Sequence, residues 1–243
     1  MGTIIGIMDE DGWTGRTDVL IWVDANTRQW VWFPRDLWCE SIQQRINAAY
    51  KRGGFDRLIA CLAEHGVRAD AGICVRRSAS ERMLANIRVN IPIEEELHFW
   101  YPAQPPFPVE YARKKISFYP PGERLTGERI HQWIGARKQV NGSHSDLDRI
   151  RRQQTFVRCL LEQQSSAFRV AWDGPDTVAL YGEDPFKDVR HARADWSMTT
   201  FGPLRSVHKG DLWVQVKTRP WHPICIVKKL ARWVRRALPI VGK

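Results

Sequence analysis

Apolar positions in the first third of the chain come in short blocks with strand character. Thr3 to Met8 reads as a buried strand, Val19 to Val23 as a second and Gln29 to Phe33 as a third. The first runs into an acidic turn, Asp9-Glu10-Asp11-Gly12. The second and third are joined through the turn-forming Asp24-Ala25-Asn26. After Gly53-Gly54 the period changes. Phe55, Leu58, Ile59 and Leu62 recur at the spacing of one helix face, and Gly66 is the expected stop. Residues 92–121 hold Pro92, Pro102, Pro105, Pro106, Pro108, Pro120 and Pro121, and read as a long irregular excursion flanking a groove. Thr126 is expected to cap a helix carrying Ile130, Trp133 and Ile134. Asp146 is expected to cap another, whose inner face holds Ile150, Val157, Leu160 and Leu161.

From Phe168 to Val216 short apolar runs alternate with Gly, Pro and Asp, the mark of a few strands. Strands and helices interleave over the first 165 residues, which predicts a three-layer α/β/α domain with a central mixed sheet. The expected organisation is therefore a domain over 1–165, a small β-rich appendage over 166–223, and a terminal amphipathic helix over 224–243. In that last segment Ile226, Val227, Leu230, Trp233, Val234, Ala237 and Leu238 form one stripe. Lys228, Lys229, Arg232, Arg235 and Arg236 form the other. This is the pattern of an interfacial membrane helix, with packing against the domain as the alternative.

Composition narrows the class. The 243 residues are 43% hydrophobic and 26% charged, which is globular and long enough for a real core. The net charge of +10, from 37 Lys and Arg against 27 Asp and Glu, favours an anionic partner: nucleic acid, acidic lipid or a phosphorylated substrate. No nucleic-acid motif accompanies the charge, so nucleic acid is not the expected partner. Twelve Trp are expected at half-buried edges or at an interface. Cys39, Cys61, Cys74, Cys159 and Cys225 are scattered without metal spacing, which argues against a disulfide framework or zinc and fits a reducing compartment. No apolar run approaches the roughly 18 residues of a membrane span. The N-terminus lacks a signal-peptide pattern. The expected location is cytoplasmic, peripheral on the inner membrane, or extracytoplasmic if an anchor precedes this chain.

Four segments place Arg or Asp where strands or helices end: DEDGWTGRTD, FPRD, RINAAYKRGG and SDLDRIRRQQ. Ligands of α/β sheets bind at such edges. Arg149, Arg152 and Gln153 share one helical face, and two guanidiniums beside an amide make a phosphate clamp. A solvated basic face explains the same spacing. Asp9, Asp11 and Asp18 near Arg16 offer oxygen ligands that suit magnesium beside phosphate, although a polar turn would read alike.

The order GRTD, FPRD, RINAAYKRGG, LTGERIHQWIGAR, SDLDRIRRQQ resembles the LytR–CpsA–Psr family of cell-envelope phosphotransferases over roughly residues 3–162. Members of that family transfer glycopolymers from a polyprenyl-diphosphate carrier to an acceptor hydroxyl, with magnesium and a buried groove for the lipid. The resemblance implies metal ligation by Asp18 with Asp9. It implies diphosphate binding by Arg16, Arg35, Arg45, Arg137, Arg149, Arg152 and Gln153, and a catalytic set of Asp18, Arg35, Asp36 and Arg149. Asn47, Tyr50 and Gly53-Gly54 fit its Asn-Ala-Ala-Tyr and paired-glycine signatures. Three positions depart from the pattern: Asp9-Glu10-Asp11 replaces Asp-x-Arg, Arg45 stands where Lys is usual, and Gly135 replaces an Arg. A pyrophosphohydrolase on the same lipid-linked substrate, or a non-enzymatic binder of anionic lipid or polymer, would carry the same constellation.

Overall fold

The computed structural model describes residues 1–8, 15–102, 113–142, 146–170, 178–209 and 212–217. Three strands, β1 (Gly2–Met8), β2 (Thr17–Asp24) and β3 (Gln29–Trp32), form an antiparallel meander. A short hairpin follows, β4 (Trp38–Cys39) with β5 (Gln44–Arg45), then α1 (Ala49–Glu64) and β6 (Ala69–Val75). Next come α2 (Arg77–Ala85), β7 (Arg88–Pro92), β8 (Leu97–Pro102), β9 (Arg113–Phe118) and β10 (Gly122–Thr126). The second half holds α3 (Glu128–Gly135), β11 (Lys138–Gln139), the long α4 (Asp146–Val170), β12 (Val178–Tyr181) and α5 (Lys187–Arg190). It ends with β13 (Ser197–Thr200), β14 (Leu204–Lys209) and β15 (Leu212–Lys217).

The central sheet is mixed, with six strands in the order β12-β6-β1-β2-β3-β13. β1 pairs parallel with β6 and antiparallel with β2, so it lies in the middle and is apolar on both faces. Alternate residues go to opposite layers. Ile4, Leu20 and Cys74 pack with Tyr50, Phe55, Leu58 and Leu62 of α1 on one side. Ile5, Ile21, Val23 and Ile73 pack with Ile150 and Leu161 of α4 and Val189 of α5 on the other. This is the three-layer α/β/α arrangement expected from the pattern.

α1 stops where Gly66 takes φ +80, and it bends at Gly53-Gly54, where Gly54 takes φ +61. Its close approach to the sheet needs another glycine: a Cβ on Gly72 would lie 2.4 Å from Cε1 of Phe55.

Several expectations are corrected. Strands β12 and β13, expected in a separate appendage over 166–223, are the two outer strands of the central sheet. α4 itself runs across position 165. Where it is described, the proline-bearing stretch forms strands, β8 pairing antiparallel with β9 and β7 with β10, while residues 103–112, with Pro105, Pro106 and Pro108, lie outside the described residues. These strands hold a second core of Val89, Ile91, Phe99, Phe118 and Leu125 against Trp133 and Phe156. Gly127, at φ +45, precedes α3 where Thr126 was expected to cap it. Trp30, Trp32, Trp38, Trp133 and Trp196 are buried rather than at edges. The helix expected over 224–243 lies outside the described residues. Among those described, no helix is long and apolar enough to cross a membrane.

Candidate functional site

The charged residues converge at one end of the central sheet, where β2 begins and β3 ends. Asp18 is the second residue of β2, and Arg35 follows β3. One guanidinium nitrogen of Arg35 ion-pairs with Asp18. Nη2 of Arg137, just past α3, reaches the other Asp18 oxygen at 3.1 Å. Arg149, in the first turn of α4, donates from Nη2 to the Asp18 carbonyl at 3.1 Å and lies 2.7 Å from Asp146 Oδ1. The second Asp146 oxygen accepts the Arg35 backbone N–H at 3.3 Å. Asp36 lies between Arg35 (3.9 Å) and Arg45 (3.2 Å), and its carbonyl accepts the Gln215 N–H of β15 at 2.8 Å. Four arginines thus alternate with three aspartates, leaving a net positive site.

Arg149 is 2% exposed, and burial pulls its pKa below the usual arginine range, with Asp146 opposing that shift. Its Nε is buried without a hydrogen-bond partner among the described residues, and so is Nδ2 of Asn47. Asn47 belongs to the same corner: its N–H donates to the Arg35 carbonyl at 3.4 Å, and its carbonyl accepts from Thr17 Oγ1 at 3.5 Å. Orphan buried donors are rare in proteins, and two belong to this corner.

Directly behind this corner lies an apolar cavity of about 100 Å³. Ile7, Val19, Ile21 and Trp32 of the sheet line it, against Met83 of α2, Ile134 of α3, and Phe156 and Val157 of α4. Two elements serve both regions. On β2, Asp18 belongs to the charged cluster and its neighbour Val19 to the cavity wall. On α4, Arg149 is in the cluster, and Gln153, one turn on, is in the wall.

Asp18, Arg35, Asp36, Arg45, Arg137 and Arg149 therefore come together at this corner. Arg152 does not. It is 7% exposed, donates from Nε to the Trp133 carbonyl at 3.0 Å and to the Ala136 carbonyl, and stacks 4.5 Å over Phe99. Burial brings its pKa down to about 10. Its role is to clamp α3 to α4, which positions Arg137. Gln153 donates to the Ile134 carbonyl at 3.0 Å and so works in the same clamp. Arg16 is exposed immediately before β2. Asp9 and Asp11 lie outside the described residues. Asp146, read from sequence only as a helix cap, is a member of the site; its position three residues before Arg149 was the available signal.

The metal question turns on the donor set. Among the described residues no group of three His, Cys, Asp or Glu is arranged to hold an ion. Magnesium does not need one, since it takes one or two carboxylates and fills its shell with water and phosphate oxygens. Asp18, at the rim of an arginine cluster, fits that habit.

No curated protein matches the sequence. Solved structures do match over nearly the whole chain. Bacillus subtilis TagV is 14% identical with a TM-score of 0.60, covering 97% of this chain and 96% of its own. TagT bound to LI-WTA is 11% identical with a TM-score of 0.61, covering 97% and 89%. B. subtilis TagU is 14% identical with a TM-score of 0.55, covering 100% and 99%. Likeness at this identity establishes the fold. The family rests on sequence: the LytR_cpsA_psr family matches residues 3–178, which span the charged corner, the cavity and the helices that frame both, and the chain belongs to that family.

Proposed function

We propose that this protein is a magnesium-dependent transferase that moves a glycosyl phosphate from a polyprenyl-diphosphate carrier to an acceptor hydroxyl in cell-envelope polysaccharide assembly. Cell-wall glycopolymer phosphotransfer is the activity of its family. The finer reading rests on one observation: the arginine cluster and the apolar cavity share β2 and α4, through Asp18 with Val19 and Arg149 with Gln153. A ligand matching both regions is anionic at one end and apolar at the other. A lipid-linked diphosphate has that form, and the fold relative TagT was solved with LI-WTA.

Arg35, Arg137 and Arg149 would hold the diphosphate oxygens, with the free Nε of Arg149 as a donor already in place. The acceptor oxygen attacks the sugar-bearing phosphorus, and the bond to the polyprenyl-phosphate oxygen breaks. Charge builds on that leaving oxygen, and guanidiniums already fixed by their aspartate partners would stabilise it. Asp18 would take the acceptor's proton or hold magnesium, with Asp9 as the implied second ligand. A bound magnesium ion would neutralise phosphate charge. Asp36, between Arg35 and Arg45, orients both guanidiniums.

The deciding experiment supplies a synthetic polyprenyl-diphosphate saccharide with a muropeptide-type acceptor and follows polyprenyl phosphate. Release that depends on both acceptor and magnesium is expected. Release with water alone at the same rate would make the protein a pyrophosphohydrolase, and tight binding without release would make it a binder. Asp18→Asn should abolish magnesium-dependent turnover and leave the circular dichroism spectrum unchanged. It should also remove any thermal shift that magnesium produces in the presence of substrate. Equal activity in chelator and in magnesium would remove the metal from the mechanism.

A further inference from the structure

The phosphate corner occupies one end of the β2–β3 pair, and the other end opens into a second, larger cavity. Its volume is about 590 Å³, within the range of about 300–1,000 Å³ that small-molecule sites occupy. Asn26 and Arg28, in the turn between β2 and β3, form one wall. Arg190, His191, Arg193 and Asp195, at and after the end of α5, form the other. From Asp18 to Ala25, which also lines the cavity, the chain advances about 23 Å at the rise of a strand. One diphosphate cannot touch both places.

Both walls are set before any ligand arrives. Asp188, 3% exposed, accepts the Thr3 hydroxyl at 2.8 Å and the Ala25 N–H at 2.9 Å, which fixes the turn against β1 and α5. Asp24 accepts the N–H groups of Asn26 and Thr27 at 2.8 and 3.4 Å. The Arg28 carbonyl accepts the Ser197 N–H at 3.0 Å, tying one wall to the other, and the Arg193 carbonyl accepts the Trp196 N–H at 3.3 Å. No guanidinium takes part in these contacts.

Three guanidiniums line the cavity against the single carboxylate of Asp195. Arg190 is engaged, ion-paired with Asp184. Arg28 and Arg193, both exposed, have no side-chain partner among the described residues. Arg28 also sits at φ +54, a region that Gly or Asn enters more easily than Arg. A residue held there against its preference points to a use for its side chain. Two unpaired guanidiniums around a cavity of this size suit a ligand with several oxyanion groups, and the planar fork of each matches phosphate oxygens two at a time.

We propose that this cavity is a second anion site, for a ligand carrying two or more phosphate groups in succession. Arg28 and Arg193 bind the phosphates from opposite walls, and Asn26 and His191 supply further donors. A free oligophosphate and a stretch of phosphodiester polymer share this chemistry. The site does not depend on the reading of the phosphate corner.

The test titrates the full chain with sodium tripolyphosphate by calorimetry, without magnesium, in an Arg35→Ala background that weakens binding at the corner. Binding is expected to persist there, and Arg193→Ala and Arg28→Gly should each weaken it at least about 10-fold. Glycine suits the turn at position 28, so that substitution should not lower the melting temperature. On the unsubstituted chain, tripolyphosphate should protect Arg28 and Arg193 from phenylglyoxal, mapped by peptide mass. Poly(glycerol phosphate) is the second arm: binding of both probes assigns the site to a polymer, and binding of tripolyphosphate alone assigns it to a free oligophosphate. No tripolyphosphate binding in the Arg35→Ala protein, or binding unchanged by both substitutions, would overturn the site. Equal affinity for inorganic phosphate or citrate would overturn the ligand class. A corner that binds no phosphate shows separately, as the same stoichiometry with and without Arg35→Ala.

Discussion

Replacing Arg149 with alanine tests the charged corner most directly. The side chain is 3% exposed and makes two charge-assisted contacts, 3.1 Å to the Asp18 carbonyl and 2.7 Å to Asp146. Contacts of this kind contribute roughly 1.5–3 kcal/mol each. Two effects pull the net loss down. Removing a buried guanidinium recovers its desolvation cost. Asp146, 19% exposed, also keeps the Arg35 N–H at 3.3 Å and some water. A net destabilisation of about 1–3 kcal/mol follows, equivalent to a fall in melting temperature of roughly 3–10 °C for a chain of this size. Activity should fall much further. Losing one preorganised donor at the charge-developing oxygen costs roughly 100-fold or more in kcat, or about 3–4 kcal/mol. The assay is polyprenyl-phosphate release well below the variant's melting temperature, with circular dichroism confirming the fold. Arg149→Lys keeps the charge and loses the planar fork, so it should recover stability better than turnover. Near wild-type kcat in Arg149→Ala would refute the reasoning, because a buried, half-unsatisfied guanidinium would then serve only the fold.

The other expectations follow from neighbouring features. Val157→Trp projects an indole into the 100 Å³ cavity and should raise KM for long-chain polyprenyl substrates while sparing short-chain ones; a uniform effect would detach the cavity from lipid binding. Burial holds the folded His65 pKa below 6.5, so the unfolded state binds more protons in that window. The associated stability is complete above about pH 6.5 and is lost as pH falls through the lowered folded value. His65→Gln should flatten that part of the melting temperature against pH, and an unchanged slope would reject the assignment. Vesicle co-sedimentation with anionic lipid should be lost in a chain ending at Pro223, since five cations near an anionic surface contribute about 1 kcal/mol each; equal binding by the full and shortened chains would remove the membrane role.

Periodicity found the elements whose burial it encodes. The β1 run and the Phe55, Leu58 and Leu62 face of α1 were legible because both pack on a single broad core. Helical spacing also put Arg149, Arg152 and Gln153 on one face, and they are on one face. What spacing does not reveal is whether that face meets solvent, ligand or protein. Arg152 turned inward because α3 ends against α4 and leaves the Trp133 and Ala136 carbonyls needing donors. That partner set is created only by tertiary packing. The same limit hid the place of β12 and β13 in the central sheet. Four-residue strands carry too little pattern to announce that they pair with β6 and β3, more than a hundred positions away. Assigning Asp18, Arg35 and Arg137 to one site came from family likeness, because nothing local links positions 18, 35 and 137; that they ion-pair emerged only from the structure.

The placement of those two outer strands has a consequence for biogenesis. Strand β3 finds its outer neighbour only when residues 197–200 arrive, and β6 waits for residues 178–181. A chain emerging from the ribosome therefore carries the meander and β6 with two open sheet margins from residue 75 until residue 178, roughly two-fifths of its synthesis. Non-local pairing of this kind closes slowly, and unpaired apolar margins invite association with other chains. Premature stops between positions 140 and 195 should accordingly yield insoluble fragments rather than small stable domains. Recovery of soluble protein from this chain should depend on co-translational holding more than on the final stability of the fold.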